Sequence, residues 1–133
     1  PGTGIDFQRD GYRQLDIYEV VKGLGVDFVQ VVDPYDLAQT TETMENAIQT
    51  KGTAVVICRR ECAIQANRRK IVYNKVSVAK DACTLCKTCI NISGCPAITL
   101  GEKAIEIDSS QCNGCGICSQ LCKFGAIKKE AVK

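Results

Sequence analysis

Hydrophobic and polar residues follow one another along the first half of the chain in patterns of two helices and two strands. Ile17, Val20, Val21 and Leu24 recur at the three- and four-residue spacing that places side chains on one helix face. The short apolar run "DFVQVV" follows and is typical of a strand covered on both faces. The stretch "DPYD" predicts the start of a second helix, and "TAVVIC" predicts a second buried strand. This α/β order is that of the closing part of an open parallel sheet.

Local signals predict where both helices begin and end. Asp16 is a suitable N-cap for the first helix, and Gly25 can take the left-handed conformation that ends it. Asp33 would cap the second helix, Pro34 would be its first residue, and Gly52 would stop it. One face of this helix is predicted to carry Leu37, Thr41, Met44 and Ile48.

Residues 1–66 are expected to form an incomplete α/β domain, a partial parallel-sheet segment. Two strands cannot cover both faces of a sheet, so further chain is needed from the N-terminal side or from a partner. The sequence also begins with Pro1 rather than Met, and we interpret it as a fragment. A linker at 67–73 leads to a small α+β C-terminal domain, 74–133, in which "AITLGEKAIEI" predicts a hairpin.

The C-terminal domain contains an internal repeat of cysteines. The stretches "CTLCKTCINISGCP" and "CNGCGICSQLCK" each open with C-x-x-C-x-x-C and continue to a fourth cysteine. The second begins 29 residues after the first, at Cys112 against Cys83. Such a duplication predicts two similar sites related by a pseudo-twofold axis.

Ten cysteines and no histidine among 133 residues narrow the chemistry of these two sites. Cysteines at this density form a disulfide scaffold, zinc sites or iron–sulfur clusters. The lack of histidine excludes mixed Cys/His zinc ligation, and zinc ribbons usually present separated C-x-x-C pairs instead of three evenly spaced cysteines. A disulfide scaffold gives no reason for the repeated spacing. The pattern therefore favours two [4Fe–4S] clusters, with zinc and disulfides as weaker alternatives.

In bacterial-type two-cluster ferredoxins the fourth cysteine of each motif ligates the other cluster, and we assign the ligands by that rule. Cluster 1 is assigned Cys83, Cys86, Cys89 and Cys122. Cluster 2 is assigned Cys112, Cys115, Cys118 and Cys95. A dry apolar sheath around both is predicted from Ile90, Ile92, Ile98, Ile105, Ile117, Leu121, Phe124 and Ile127. Because so small a domain has a small core, cluster binding and folding are expected to be coupled.

Two features of the motifs are irregular. Five residues separate Cys89 from Cys95, where the common ferredoxin motif has three, so the geometry of Cys95 is harder to predict. Lys123 follows Cys122, where proline is usual, and its cation predicts a raised reduction potential for cluster 1.

Two further cysteines, Cys58 and Cys62, have no assigned role. On one extended strand their Cα atoms would lie roughly 13 Å apart, which is too far for a disulfide. Two thiolates cannot hold a third cluster alone. We interpret both as buried or partly buried free thiols.

The order of motifs along the chain resembles a known enzyme family. "PGTG", "LGVDFVQVVDPYDL" and "AVVICRRECAI" precede two cluster motifs that close with "CKFGAI". The chain thereby resembles the C-terminal part of the large (alpha) subunit of indolepyruvate:ferredoxin oxidoreductases, which are thiamine-diphosphate-dependent 2-oxoacid oxidoreductases. The resemblance covers nearly all residues, and the order, not the generic cluster motifs, makes it specific.

The resemblance implies an enzyme only as the full-length subunit, which would also need a smaller beta subunit. An aryl 2-oxoacid such as indolepyruvate would be oxidatively decarboxylated with thiamine diphosphate and Mg²⁺, giving an acyl-coenzyme A. The electrons would pass singly through both clusters to an external ferredoxin. Residues 1–66 would end the thiamine-diphosphate-binding domain, with Gly2 and Gly4 near that cofactor. The family's Gly-Asp-Gly…Asn element is not in this sequence, so no catalytic residue is assigned and the fragment should only carry electrons.

Two other functions remain open: an electron-transfer ferredoxin module alone, or part of another 2-oxoacid:ferredoxin oxidoreductase. A structural zinc module is the third and least favoured alternative. The net charge of +2 and the lack of an apolar run of ~20 residues predict neither a nucleic-acid partner nor a membrane. Reactive clusters predict the cytoplasm of an anaerobe as the location.

Overall fold

The structure, a computed structural model, describes residues 15–69 and 74–131. It contains two compact units. Unit 1 comprises the described parts of Pro1–Asp33 and Ala38–Arg59, and unit 2 those of Pro34–Leu37 and Arg60–Lys133. Part of the linker predicted at 67–73 lies outside the described residues, so its bounds stay a prediction. Within the described part of the chain, no helix combines the length and the apolar character needed to cross a bilayer.

Unit 1 is built around two parallel strands. Its elements are α1 (Ile17–Gly23), β1 (Phe28–Val32), α2 (Leu37–Gln49, whose first residue belongs to unit 2) and β2 (Ala54–Cys58). Phe28 lies opposite Ala54, and Val32 lies opposite Cys58. Asp16 caps α1 by accepting a hydrogen bond from the Tyr18 N–H. Both strands and their parallel pairing agree with the sequence prediction.

The second helix begins later than predicted. Pro34 lies in a turn outside the helix, and α2 starts at Leu37. The Leu37 N–H donates to Oε1 of Gln120 at 3.0 Å, and Nε2 of Gln120 donates to the Tyr35 carbonyl at 2.7 Å. This amide, 83 residues further along the chain, accepts the N–H of the first residue of the helix.

The helices of unit 1 expose much of the apolar surface that the sequence predicted to face a core. No residue of α1 is buried, and Leu24 is 76% exposed just beyond its end. On α2 the buried side chain is Thr43, whereas Ile48 on the predicted apolar face is 83% exposed. The strands are half-buried and not fully covered, with Val32 the buried residue of β1. The physical reason is that two described strands offer too little sheet to cover these faces.

Unit 2 is a small α+β unit with two antiparallel strand pairs. Its elements are α3 (Ala63–Arg68), β3 (Asn74–Val78), a 3-10 helix (Lys80–Ala82), α4 (Thr88–Ser93), β4 (Ile98–Leu100), β5 (Ile105–Ile107), α5 (Ile117–Leu121) and β6 (Ile127–Ala131). β3 pairs with β6, and β4 pairs with β5 across the predicted hairpin. The Gly101 N–H donates to the Ala104 carbonyl at 3.0 Å and closes its turn.

The core of unit 2 joins apolar residues to two of the predicted ligands. Ile98, Ile105 and Ile127 are buried together with Cys89 and Cys118. Of the remaining residues of the predicted sheath, Ile90, Ile117 and Leu121 are half-buried. Ile92 and Phe124 are 65% and 54% exposed, so the sheath is less complete than predicted. Cys89 and Cys118 thus lie in the core and not on a surface loop.

Candidate metal centres

The eight cysteines of the repeat surround two cavities, four to each. Site 1 is lined by Cys83, Cys86, Cys89 and Cys122. Site 2, which encloses about 210 Å³, is lined by Cys95, Cys112, Cys115 and Cys118. The structure therefore brings together the two sets proposed from the sequence, each with three cysteines of one motif and the fourth of the other. Their role as cluster ligands stays a prediction.

The loops that carry the first three cysteines of each site share a left-handed backbone at two matching positions. In site 2 these positions are Gly114 and Gly116, with φ of 70° and 76°. In site 1 they are Leu85 and Lys87, with φ of 55° and 60°. Left-handed backbone costs a residue with a side chain about 1–2 kcal/mol, whereas glycine adopts it freely. The same loop shape is therefore strained only in site 1.

The long spacing between Cys89 and Cys95 is accommodated by a short helix. Cys89 lies on α4, which ends at Gly94 in a left-handed conformation. The Ser93 hydroxyl donates to the Cys89 carbonyl at 2.5 Å and accepts the Cys95 N–H at 3.3 Å. Ser93 thus links Cys89, the third cysteine of site 1, to Cys95, the cysteine of the first motif that lines site 2.

Polar side chains also hold the second motif in place. The Cys112 N–H donates to the Asp108 carbonyl at 3.0 Å, and the Cys115 N–H donates to Oδ1 of Asn113 at 3.2 Å. The Asp108 carboxylate accepts the Ser110 N–H at 2.8 Å, and hydrogen bonds from Ser110 lower the pKa of this carboxyl group. These contacts fix the orientation of the loop.

The thiols of the two sites differ in their acidity. Hydrogen bonds from the Thr88 side chain and backbone lower the pKa of Cys86. Burial raises the pKa of Cys89, and burial raises that of Cys118 to about 11. A metal binds the thiolate, so hydrogen bonds favour the ligand form of Cys86 while burial opposes it at Cys118.

The residues present suit a cluster better than a single ion or a disulfide. All ten cysteines lie in the described part of the chain and are free thiols. Within residues 15–69 and 74–131, no three Cys, Asp or Glu side chains converge closely enough to hold one metal ion. Four thiols around one cavity, with left-handed glycines and apolar walls, are the donor set of a [4Fe–4S] cluster.

Other residues singled out from the sequence lie elsewhere. Cys58 and Cys62 are free but exposed, so the expectation that they are buried was wrong. Cys58 ends β2, where the chain leaves the sheet, and Cys62 lies just before α3. Gly2 and Gly4 fall outside the described residues, and their role stays a prediction.

Sequence reasoning missed the polar residues that place the ligands. Thr88, Ser93 and Asn113 each make a hydrogen bond to a cysteine thiol or backbone group. A signal existed for each, since Ser, Thr and Asn next to turns commonly bond backbone groups two to four residues away. The partner of each bond still depended on a loop conformation that the sequence does not display.

Comparison with known proteins agrees with this site. The 4Fe-4S binding domain family matches residues 105–128. That range includes the second cysteine motif, and the first motif, with its long Cys89–Cys95 spacing, lies outside it.

The relatives extend the comparison to nearly the whole chain. It is 44% identical over 135 residues to indolepyruvate oxidoreductase subunit IorA of Pyrococcus horikoshii, and 40% identical over 133 residues to that of Archaeoglobus fulgidus. These alignments cover 97% and 96% of the chain but 21% of each relative, so the chain spans about a fifth of their length. Pyruvate synthase subunit PorD of Methanothermobacter marburgensis is 44% identical over 54 residues, which cover 41% of this chain and 63% of that protein. The resemblance stated from the sequence is confirmed.

Proposed function

We infer that the chain belongs with the large subunits of indolepyruvate:ferredoxin oxidoreductases, and that unit 2 is the part that conducts electrons. The arrangement of eight cysteines, four around each of two cavities, carries this proposal. The similarity to IorA subunits over 97% of the chain supports it and supplies the enzyme class. Unit 2 would hold two [4Fe–4S] clusters, one in each site.

Each group of residues has a distinct part in such a module. The thiolates of site 1 and site 2 would bind iron, and a bound [4Fe–4S] cluster supplies a one-electron carrier. Ile98, Ile105 and Ile127 keep water from the inner walls of the sites. The Thr88 N–H and hydroxyl donate to the Cys86 sulfur, and such bonds stabilise negative charge on a ligand.

The complete enzyme would combine this module with the catalytic parts of the subunit. Unit 1 would be the end of a thiamine-diphosphate-binding domain, with Gly2 and Gly4 near the cofactor and its Mg²⁺. A smaller beta subunit would complete the assembly. Oxidative decarboxylation of an aryl 2-oxoacid would form acyl-coenzyme A and send two electrons, one at a time, through the clusters to ferredoxin in the cytoplasm.

The exposed helices of unit 1 favour this proposal over an isolated electron carrier. Leu15 and Leu24 on either side of α1, and Ile48 on α2, are each more than 70% exposed, and much exposed apolar surface is normally covered by other chain. The remainder of a large subunit would cover it, whereas a ferredoxin has no use for unit 1. A module that serves another 2-oxoacid oxidoreductase is the second candidate, and the similarity of 54 residues to subunit PorD favours it.

Metal analysis of the chain tests whether it binds two [4Fe–4S] clusters, as the proposal requires. After anaerobic reconstitution we expect about eight iron atoms and about eight sulfide ions per chain, with a brown colour that bleaches on reduction. Inductively coupled plasma spectrometry and sulfide assay measure the two quantities. A chain that instead retains about two zinc ions and no sulfide would be the structural zinc module.

A further inference from the structure

The two sites differ in how far their ligands reach the surface. Cys86 of site 1 is exposed, and so is Phe124, which lines the same cavity. In site 2, Cys95, Cys112 and Cys115 are half-buried and Cys118 is buried. Site 1 is therefore the one that a second protein can approach closely.

Positive charge follows the same division between the sites. Lys87 comes directly after Cys86 and lines site 1, and Lys123 lies between two residues that line it, Cys122 and Phe124. Both lysines are exposed. Each follows a cysteine of site 1, and no cysteine of site 2 is followed by a charged residue.

The pseudo-twofold repeat allows the charges of the two sites to be compared at matching positions. The position of Lys87 is taken in the second motif by Gly116, and the position of Lys123 is taken in the first motif by Pro96. Lys87 also has a φ of 60°, a conformation that costs a lysine about 1–2 kcal/mol and a glycine nothing. A lysine therefore stands beside the exposed cysteine of site 1, at a position where glycine would fit the backbone better.

One lysine does lie against site 2, but in a different setting. The Cδ of Lys129 is 2.6 Å from where a Cβ on Gly116 would lie, so its side chain covers the buried loop. Lys129 therefore shields the backbone between two cysteines of site 2. It adds charge there without exposing a ligand.

We propose that the exposed face of site 1, formed by Cys86, Lys87, Lys123 and Phe124, docks an acidic electron-carrier protein. The proposal rests on the proposed function, because it requires a cluster in site 1. Carboxylates of the partner would pair with the ammonium groups of Lys87 and Lys123, and the exposed Phe124 would supply an apolar contact. In that complex one electron leaves the reduced site and enters the oxidised partner, and the transfer needs no proton or third reactant.

The charge of the segment that carries both sites makes the local lysines important. From Asp81 onward the side chains of six lysines and five acids nearly cancel, and two oxidised clusters with their thiolates add about four negative charges. An acidic partner is therefore repelled by this segment. Within a Debye length of about 10 Å the two lysines of site 1 can reverse that repulsion.

Binding between the two oxidised proteins tests this face without electron transfer. The cluster-loaded chain is titrated calorimetrically with an oxidised acidic [4Fe–4S] ferredoxin, and separately with basic cytochrome c. We expect Lys87→Gln and Lys123→Gln each to raise the Kd for ferredoxin about threefold in about 20 mM salt, and the difference to vanish near 500 mM. Lys128→Gln, at an exposed position of β6, is the matched control and should bind as the unaltered chain does. Carbodiimide cross-linking should join ferredoxin to Lys87 and Lys123.

Four outcomes would overturn the proposal. Tighter binding of cytochrome c than of ferredoxin would mean that the face attracts basic partners. Equal effects of Lys87→Gln and Lys128→Gln on the Kd would mean that ferredoxin responds to the overall charge and not to this face. Cross-links found only at other lysines would place the partner elsewhere. Each of these results, obtained with clusters present, leaves the proposed function standing. A chain that holds no iron and sulfide would overturn both proposals.

Discussion

Replacing Cys95 with serine is expected to remove the cluster of site 2 and leave the cluster of site 1 in place. Cys95 belongs to the first cysteine motif, yet it lines the cavity formed by the three leading cysteines of the second motif. The reciprocal change, Cys122→Ser, is expected to remove the cluster of site 1. In each variant we expect iron to fall by about half, since each cluster holds four of about eight iron atoms.

Two reference variants show which cluster is lost. Cys86→Ser affects site 1 and Cys115→Ser affects site 2 under any pairing of the fourth cysteines. Electron paramagnetic resonance and voltammetry should therefore match Cys95→Ser to Cys115→Ser, and Cys122→Ser to Cys86→Ser. Cys62→Ser, at an exposed cysteine outside both sites, should keep all the iron. A match of Cys95→Ser to Cys86→Ser would show that each motif binds its own cluster.

Removal of both clusters is expected to unfold unit 2 while unit 1 keeps its structure. The core of unit 2 contains the predicted ligands Cys89 and Cys118, packed against Ile98, Ile105 and Ile127. Without a cluster, these isoleucines would border thiols around an open cavity, and a core of this size cannot hold short strands alone. We expect amide protection in β4 and β5 to fall by about 100-fold or more.

Hydrogen exchange before and after anaerobic chelation measures this effect in one sample. The amides between β1 and β2 provide an internal control, because they belong to unit 1 and pair only with each other in the described sheets. They should exchange at the same rate in both states. Retained protection in the β4–β5 hairpin after the iron has gone would contradict the coupling of cluster binding to folding.

The parts of the fold that sequence could predict are those determined by neighbouring residues. The Asp16 cap and the two apolar strands follow from short stretches of chain, and the structure has both. The Leu37 N–H at the start of α2 donates to Gln120, which is 83 residues away, and no local pattern reveals that contact. The pairing of β3 with β6 is also long-range and was not predicted.

At the candidate sites, the sequence likewise predicted what neighbouring residues determine but not how exposed each side chain is. Cysteine spacing predicted the three leading cysteines around each cavity, and the rule of two-cluster ferredoxins supplied the fourth. Exposure was less predictable: Phe124 is open to solvent although it follows the apolar pattern of the sheath. Spacing indicates which side chains share an element, whereas the amount of chain that covers them depends on the whole structure.

The antiparallel pairing of β3 with β6 brings together the two ends of the segment 74–131. It sets Asn74 opposite Ala131, so the backbone enters and leaves this segment at neighbouring positions. A segment with adjacent ends can be inserted into a loop of a host protein without stretching the host backbone. We therefore expect residues 74–131, which carry all eight cysteines of the two sites, to be transferable into another protein as one piece.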